Sequence, residues 1–344
     1  MDFVKMHRQF GFESNLITIY KNKLNFEEDI SLNLELPQSN FAKKWRDIKI
    51  DRKIQKISLI QTPSLKIYKP KNTFEEIYFK FRDLKNKNLI NGVIEKHKLF
   101  DYDIYHFDGG MDFYRNISFA RELKKRNKKI ICCYFGSDLR TRGIFEELEK
   151  ISDMLLTVEF DHTQLHKKVN YIFFPFDVKH FEYKINNNKV KKIIHSPTNR
   201  AFKGTDKILR VIDEIKKEAE FEFILLENVD REELLKIKRG CDLAIDQVGG
   251  EMGGSGYGKN SLENISMGIP TFTEFSDDYS KFLPDNPFIN SNIYNLKENI
   301  LKFLKDDSLI ETYAIKGRKW AEETHSFEAV NKKLLSYYKK FNIL

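Results

Sequence analysis

At 344 residues the chain exceeds what one hydrophobic core usually fills, so two domains of about 170 residues are expected. Its composition, 41% hydrophobic and 32% charged with a net charge of +8, is globular and excludes a fibrous or disordered chain. No apolar stretch approaches the roughly 18 residues of a spanning helix, and Met1-Asp-Phe-Val-Lys5 lacks a signal peptide's apolar core, so a cytoplasmic location is expected.

In chain order, Asp2 to Met6 reads as a short strand, 7–13 as a loop containing Gly11, and Ser14 as the cap of a helix carrying Leu16, Ile17, Ile19 and Tyr20. Ile30 to Leu36 reads as a second strand. Lys43, Lys44, Arg46, Lys49, Arg52, Lys53 and Lys56 then crowd one segment against two acidic residues. Such a patch is a plain solvated lysine-rich surface or attracts nucleic acid or anionic lipid; no nucleic-acid motif accompanies it, so of those two partners the inner face of a membrane, contacted peripherally, is favoured. Thr73 caps a long charged helix through His97, with Phe74, Ile77, Phe81 and Leu84 on one stripe.

Asp103-Ile-Tyr-His-Phe-Asp-Gly-Gly110 follows, then helix 112–126, strand 129–135, the turn Gly136 to Arg140, helix 142–150, strand 153–159 and helix 161–168. Cys132 and Cys133 lie in an apolar strand as inert core thiols. With Cys241 they make neither a disulfide framework nor a set with metal-ligand spacing, so no metal and no redox role is expected. The polar run Asn186-Asn-Asn188 reads as a linker.

A second alternating series begins with strand 191–195, helix Thr205 to Lys217, strand Phe221 to Leu226 and helix Asp230 to Lys238. Strand Leu243 to Ile245 ends in Asp246 and Gln247, and six of the chain's sixteen glycines fall between Gly249 and Gly258 before helical spacing resumes at Lys259 and a strand reaches Phe272. Helices near 294–305, 308–322 and 327–341 close the chain. Alternation of this kind implies α/β architecture with two doubly wound parallel sheets.

A helix that starts directly after a glycine loop offers free N–H groups to an anion, so phosphate or diphosphate is the natural occupant. The rival is a P-loop: Gly253-Gly-Ser-Gly-Tyr-Gly258-Lys259-Asn260 matches the first seven positions of G-x-x-x-x-G-K-[ST]. Asn260, however, stands where a hydroxyl must hold Mg²⁺. After strand 191–195, His195-Ser-Pro-Thr-Asn-Arg-Ala-Phe-Lys-Gly-Thr205 sets Arg200 and Lys203 before Gly204 at a helix start: two cations and a helix N-terminus suit a diphosphate. Glu263, one turn into the helix after the glycine loop, is placed to accept bonds from ribose hydroxyls.

Together these pieces resemble the nucleotide-sugar half of GT-B glycosyltransferases, in particular the retaining family-4-like group, over most of the chain. Gly256-Tyr-Gly258, Leu262-Glu263 and Met267-Gly-Ile-Pro270 are similar to that group's glycine, Leu-Glu and Pro signature. Tyr105-His-Phe-Asp-Gly-Gly110 and Tyr134-Phe-Gly-Ser-Asp-Leu-Arg140 are similar to its first-half strand end and turn, and His325-Ser-Phe-Glu to the start of its closing helix.

The resemblance implies two Rossmann-like domains facing across a cleft, an acceptor-side domain over 1–180 and a donor domain over 190–325, with 326–344 crossing back to the first. It implies a metal-independent hexosyl transfer, with no cofactor, from a nucleotide-diphosphate sugar to a glycan or lipid-linked acceptor in cell-surface glycan synthesis. Arg200, Lys203 and Gly204 would hold the diphosphate, Glu263 the ribose, and Gly256, Tyr257, Gly258, Lys259 and Asn260 the backbone cradle. His106 and Asp108 would stand near the reacting carbon, with Gly11, Gly109, Gly110, Asp138 and Arg140 shaping the acceptor edge and Asp138 pairing with Arg140.

Ser255 departs from the pattern, standing where the group carries the first glutamate of a pair, and Glu251 is the nearby carboxylate able to compensate. Arg200 and Lys203 are also closer together than the group's basic pair. A nucleotide-sugar epimerase on the same fold, and a degenerate protein that binds without turnover, are the alternatives.

Overall fold

The computed structural model describes residues 1–21, 27–34, 65–70, 72–136, 138–250 and 256–344. The basic segment Lys43 to Lys56, Glu251 and Ser255 lie outside them. The chain forms two compact units, Met1–Phe174 with Val330–Leu344, and Pro175–Ala329.

In the first unit β1 (Ile17–Tyr20) and β2 (Ile30–Leu34) pair in parallel. A separate parallel sheet runs in the order β3 (Ile104–Asp108), β4 (Lys129–Tyr134), β5 (Met154–Thr157) and β6 (Asn170–Tyr171). β4 and β5 are apolar along nearly their whole length because both faces are covered, as parallel strands require. Phe107, Ile130, Cys132, Tyr134, Ala120, Leu123, Ile90 and Ile94 share one core.

The N-terminus differs from expectation. Asp2–Gln9 is a helix, not a strand, with Val4 and Met6 buried. Gly11 follows its end at φ +82° as the left-handed residue that stops a helix, so its role is local and not that of a loop after a strand. Ile17–Tyr20, expected as helix, is a strand, as its alternating β-branched Ile-Thr-Ile favours. The long helix spans Thr73–Lys96, and its cap is Asn72, whose side chain accepts the Glu75 N–H at 2.9 Å. Its stripe of Phe74, Ile77, Phe81 and Leu84 faces outward, whereas Ile90 and Ile94 are buried.

The second unit contains five parallel strands in the order β11 (Ile289–Asn290), β10 (Thr271–Thr273), β9 (Leu243–Ile245), β7 (Lys192–His195), β8 (Glu222–Leu225). Alternate residues feed two cores. Ile193, Leu243 and Ile245 join the one containing Ile208 and Ile212, while Ile194 and Ala244 join the one containing Leu262 and Ile265. The sheet is therefore helix-covered on both faces. Asn186 and Asn188, expected in a linker, are anchored inside this unit: Asn186 donates to the carbonyls of Arg239 and Cys241, and Asn188 to Asp242.

The strand order reverses between β7 and β9. In an open parallel sheet that switch point, at the carboxyl ends of the strands, is where a ligand crevice forms.

Candidate functional site

The loops leaving β7 and β9 at this switch point hold the residues expected from sequence, and they interlock. Gly204 has φ +68°, and a Cβ there would sit 2.0 Å from the Val248 carbonyl oxygen; only glycine lets the two loops meet. His195 at the end of β7 is buried, with Nδ1 2.9 Å from the Ile245 carbonyl and Nε2 2.9 Å from the Thr205 hydroxyl, so it braces the strands. Burial lowers its pKa.

Arg200 and Lys203 sit in the short helix Arg200–Lys203, capped by the Asn199 side chain. Arg200 is exposed and donates to Glu227 and Asp206, both at 2.5 Å. Lys203 Nζ donates to Asp246 Oδ1 at 2.6 Å, and Gln247 Oε1 lies 3.4 Å away. Both expected phosphate cations are thus already paired with carboxylates. An ammonium has three donors, so Lys203 keeps capacity for a phosphate oxygen without releasing Asp246.

Asp246 is the hub that sequence reasoning missed. Its Oδ1 also accepts from Asn260 Nδ2 at 3.0 Å, and its Oδ2 from Ser261 Oγ at 2.5 Å. Burial would raise its pKa, but Lys203 and these donors override that and hold the carboxyl below its ordinary value. The hydroxyl and amide of the helix Lys259–Ser266 are spent on Asp246, and no side chain caps that helix among the described residues.

Glu263, expected to accept bonds from ribose hydroxyls, is already engaged by two cations. It is buried, with Oε1 2.7 Å from Arg231 and Oε2 2.9 Å from Lys238. Lys238 is fully buried and also donates to Asn260 Oδ1 at 2.5 Å. Burial pulls its pKa down against the opposing pull of Glu263. A continuous chain of bonds therefore runs from Lys203 through Asp246, Asn260 and Lys238 to Glu263. A sequence signal for Lys238 exists: it shares a helical stripe with Arg231 and Leu234.

Gly256 sits at φ +99°, and its carbonyl accepts from Thr273 Oγ1 at 2.7 Å and Gln247 Nε2 at 3.1 Å. The Tyr257 side chain packs within its own unit: its hydroxyl is 2.8 Å from His325 Nε2 and its ring stacks on Phe288. Gly258 is the N-cap of the helix that begins at Lys259.

In the first unit, His106 in the middle of β3 places Nε2 2.8 Å from the Tyr338 hydroxyl and Nδ1 3.5 Å from Cys133 Sγ. His7, which the sequence reading did not single out, packs edge-on against it at 5.6 Å between ring centroids. Burial pushes His7 down to about 4 and His106 down to about 3, the latter helped by His7. Asp108 ends the same strand. Gly109 donates to the Cys133 carbonyl at 2.7 Å, and Gly110 follows at φ +62°. Asp138 does not pair with Arg140. It accepts from the Phe135 N–H at 3.1 Å and lies 3.6 Å from Arg142, one helical turn on, whereas Arg140 is held by Asp161 and Glu159.

Two Rossmann-like parallel-sheet units with this order of elements define the fold of the GT-B glycosyltransferases. Over 99% of its length the chain is similar to a glycosyltransferase from Rickettsia africae, with 14% identity, 93% of that chain covered and a TM-score of 0.57. Over 99% it is also similar to a putative UDP-N-acetylglucosamine 2-epimerase from Listeria monocytogenes, with 12% identity, 91% of that chain covered and a TM-score of 0.50. Anabaena HepE, solved in complex with UDP-glucose, is similar over 73% of this chain and 82% of its own, with 10% identity and a TM-score of 0.50. The chain spans 54% of the length of S. aureus TarM, another structure it matches. No protein-family model and no curated protein matches the sequence. At these identities the likeness establishes the fold.

Proposed function

We propose that the protein is a glycosyltransferase that moves a sugar, with retention and without a metal, from a nucleotide diphosphate to a glycan or lipid-linked acceptor in cell-surface glycan synthesis. One observation carries this reading: Lys203, Arg200 and the N-terminus of helix Lys259–Ser266 all belong to the loops and helices that leave β7 and β9 at the switch point. There the two cations and the helix dipole would offset charge on the departing nucleotide diphosphate, the task a metal performs elsewhere. Glu263 would read the ribose, Glu251 or Ser255 the transferred sugar, and His106 and Asp108 the acceptor side.

The epimerase reading is favoured by the likeness to the Listeria protein over the whole chain. Against it, an epimerase needs free acid and base groups on the donor side, whereas both ring nitrogens of His195 are engaged and Nε2 of His325 meets Tyr257.

The test is incubation with a panel of nucleotide sugars and candidate glycan acceptors in EDTA. Sugar transferred to acceptor with release of nucleotide is expected. Isomerised sugar with no transfer would replace this reading with the epimerase; tight binding with no turnover of any donor would replace it with the degenerate binder. Activity restored only by added Mg²⁺ or Mn²⁺ would overturn the metal-free part alone.

A further inference from the structure

Helix Thr73–Lys96 is apolar on two sides. Ile90 and Ile94 enter the core of the first unit. On the other side Phe74, Ile77, Phe81 and Leu84 are 82%, 58%, 65% and 71% exposed, with Tyr78 and Leu89 beside them at 45%. At the helical period these six fall within an arc of about 140°. A face of that size is far beyond the scattered apolar residues of an ordinary surface.

Positive charge accompanies this face: the described residues 65–70 and 72–87 hold six basic and three acidic side chains, a net +3. Among the described residues of this stretch Lys66, Lys69, Lys80, Lys85 and Lys87 are exposed. Lys80 pairs with Glu76 at 2.7 Å. Lys85 lies inside the apolar arc, where its stem can run along Phe81 and Leu84 while the ammonium reaches outward.

We propose that this face is an interfacial anchor for an anionic lipid surface, with the helix lying in the membrane plane. Phe74, Ile77, Phe81 and Leu84 enter the boundary between headgroups and acyl chains, and the lysines meet headgroup phosphates. Along the arc Phe74 and Phe81 lie at the centre, with Ile77 and Leu84 on one edge and Tyr78 and Leu89 on the other, so aliphatic side chains that suit acyl chains flank the aromatic ones. No helix among the described residues is long and apolar enough to cross a membrane, so the contact is one of surface insertion. The inference does not depend on which sugar donor, if any, the protein uses.

Flotation of the full chain with phosphatidylcholine vesicles, with and without phosphatidylglycerol, tests it. Binding at low salt to the anionic vesicles is expected, weakened about tenfold or more by Phe81→Ser/Leu84→Ser and likewise by Lys85→Glu/Lys87→Glu. Because these side chains are exposed, both variants should melt like the wild type. Tyr294→Ser, at a 92% exposed position of the second unit, should bind unchanged. Absence of binding at low salt, or equal binding by Phe81→Ser/Leu84→Ser, overturns the proposal. So does a dimer in sedimentation that the same double variant dissociates, which assigns the face to a second copy, or displacement of the protein from vesicles by RNA.

Discussion

Lys238 Nζ lies 2.9 Å from Glu263 Oε2, with the lysine wholly buried and the glutamate 4% exposed. The pair joins the last residue of helix Arg231–Lys238 to the helix that follows the glycine loop, so the carboxylate expected to read a ribose is fixed from beneath. Its other oxygen is held by Arg231, which is mostly exposed and can yield to a ligand hydroxyl.

Removing one member of a buried pair leaves an uncompensated charge, which typically costs about 3–5 kcal/mol. Lys238→Met should therefore destabilise strongly in chemical denaturation, and Lys238→Met/Glu263→Gln should recover part of the loss because no lone charge remains. A single variant within about 1 kcal/mol of the wild type would show that the pair is not dry.

Lys203→Ala should weaken nucleotide-diphosphate binding by tenfold or more in calorimetry, the worth of one charge-assisted bond to phosphate. The same substitution strips Asp246 of its cation, so it should also lower stability. Lys203→Arg separates the two effects: it restores a charge beside Asp246 and so recovers stability, while a guanidinium fork restores phosphate binding incompletely. Arg200→Ala should weaken binding less, since Arg200 is exposed and shared between Glu227 and Asp206. Unchanged affinity for every nucleotide diphosphate in folded Lys203→Ala would remove Lys203 from the site.

What was legible in the sequence depended on whether the signal was local. β4, β5, β7 and β9 were readable because strands covered on both faces are short apolar runs between turn residues. At the N-terminus the same apolar density misled: Phe3, Val4 and Met6 alternate like a strand, yet Phe3 and His7 lie one helical turn apart and their rings meet at 6.5 Å. Arg200, Lys203 and Glu263 were found as candidates from their place after a strand or glycine loop. Their partners were not, since Glu227, Asp246 and Lys238 are 25 to 43 residues away and meet them only when the sheet forms. Asp138 and Arg140 failed as a pair because residues two apart on a helical turn point in different directions; Arg142 is the one in reach.

Stability should fall in mild acid. His7 and His106 are packed among Phe3, Phe12 and Tyr338, and burial sets their pKa values at about 4 and about 3, against about 6.5 in an unfolded chain. Between pH 6.5 and these values the unfolded state binds protons that the native state refuses. The contribution is complete above pH 6.5 and is lost progressively as pH falls below it. His106→Gln should flatten the stability profile between pH 6.5 and 4 relative to the wild type. An identical slope in both proteins would mean that His106 is protonated as readily folded as unfolded.

Gly256, like Gly204, is a position where backbone and packing demand glycine together. Its φ of +99° is a conformation that other residues rarely adopt, and a Cβ would stand 2.0 Å from the Tyr279 ring. Gly256→Ala should cost about 1–3 kcal/mol from the backbone and about 1–3 more from displacing the ring. Repeating the substitution in a Tyr279→Ala background removes the clash and leaves the strain, so the cost there should be the smaller. Equal costs in both backgrounds would mean that the ring moves aside freely. Since the Gly256 carbonyl is tied to Thr273 and Gln247 two residues before the helix Lys259–Ser266, shifting this bend re-aims that helix N-terminus. Nucleotide-diphosphate affinity measured on folded Gly256→Ala should therefore fall, and should stay low in the Tyr279→Ala background, because the strained φ persists after the ring is gone.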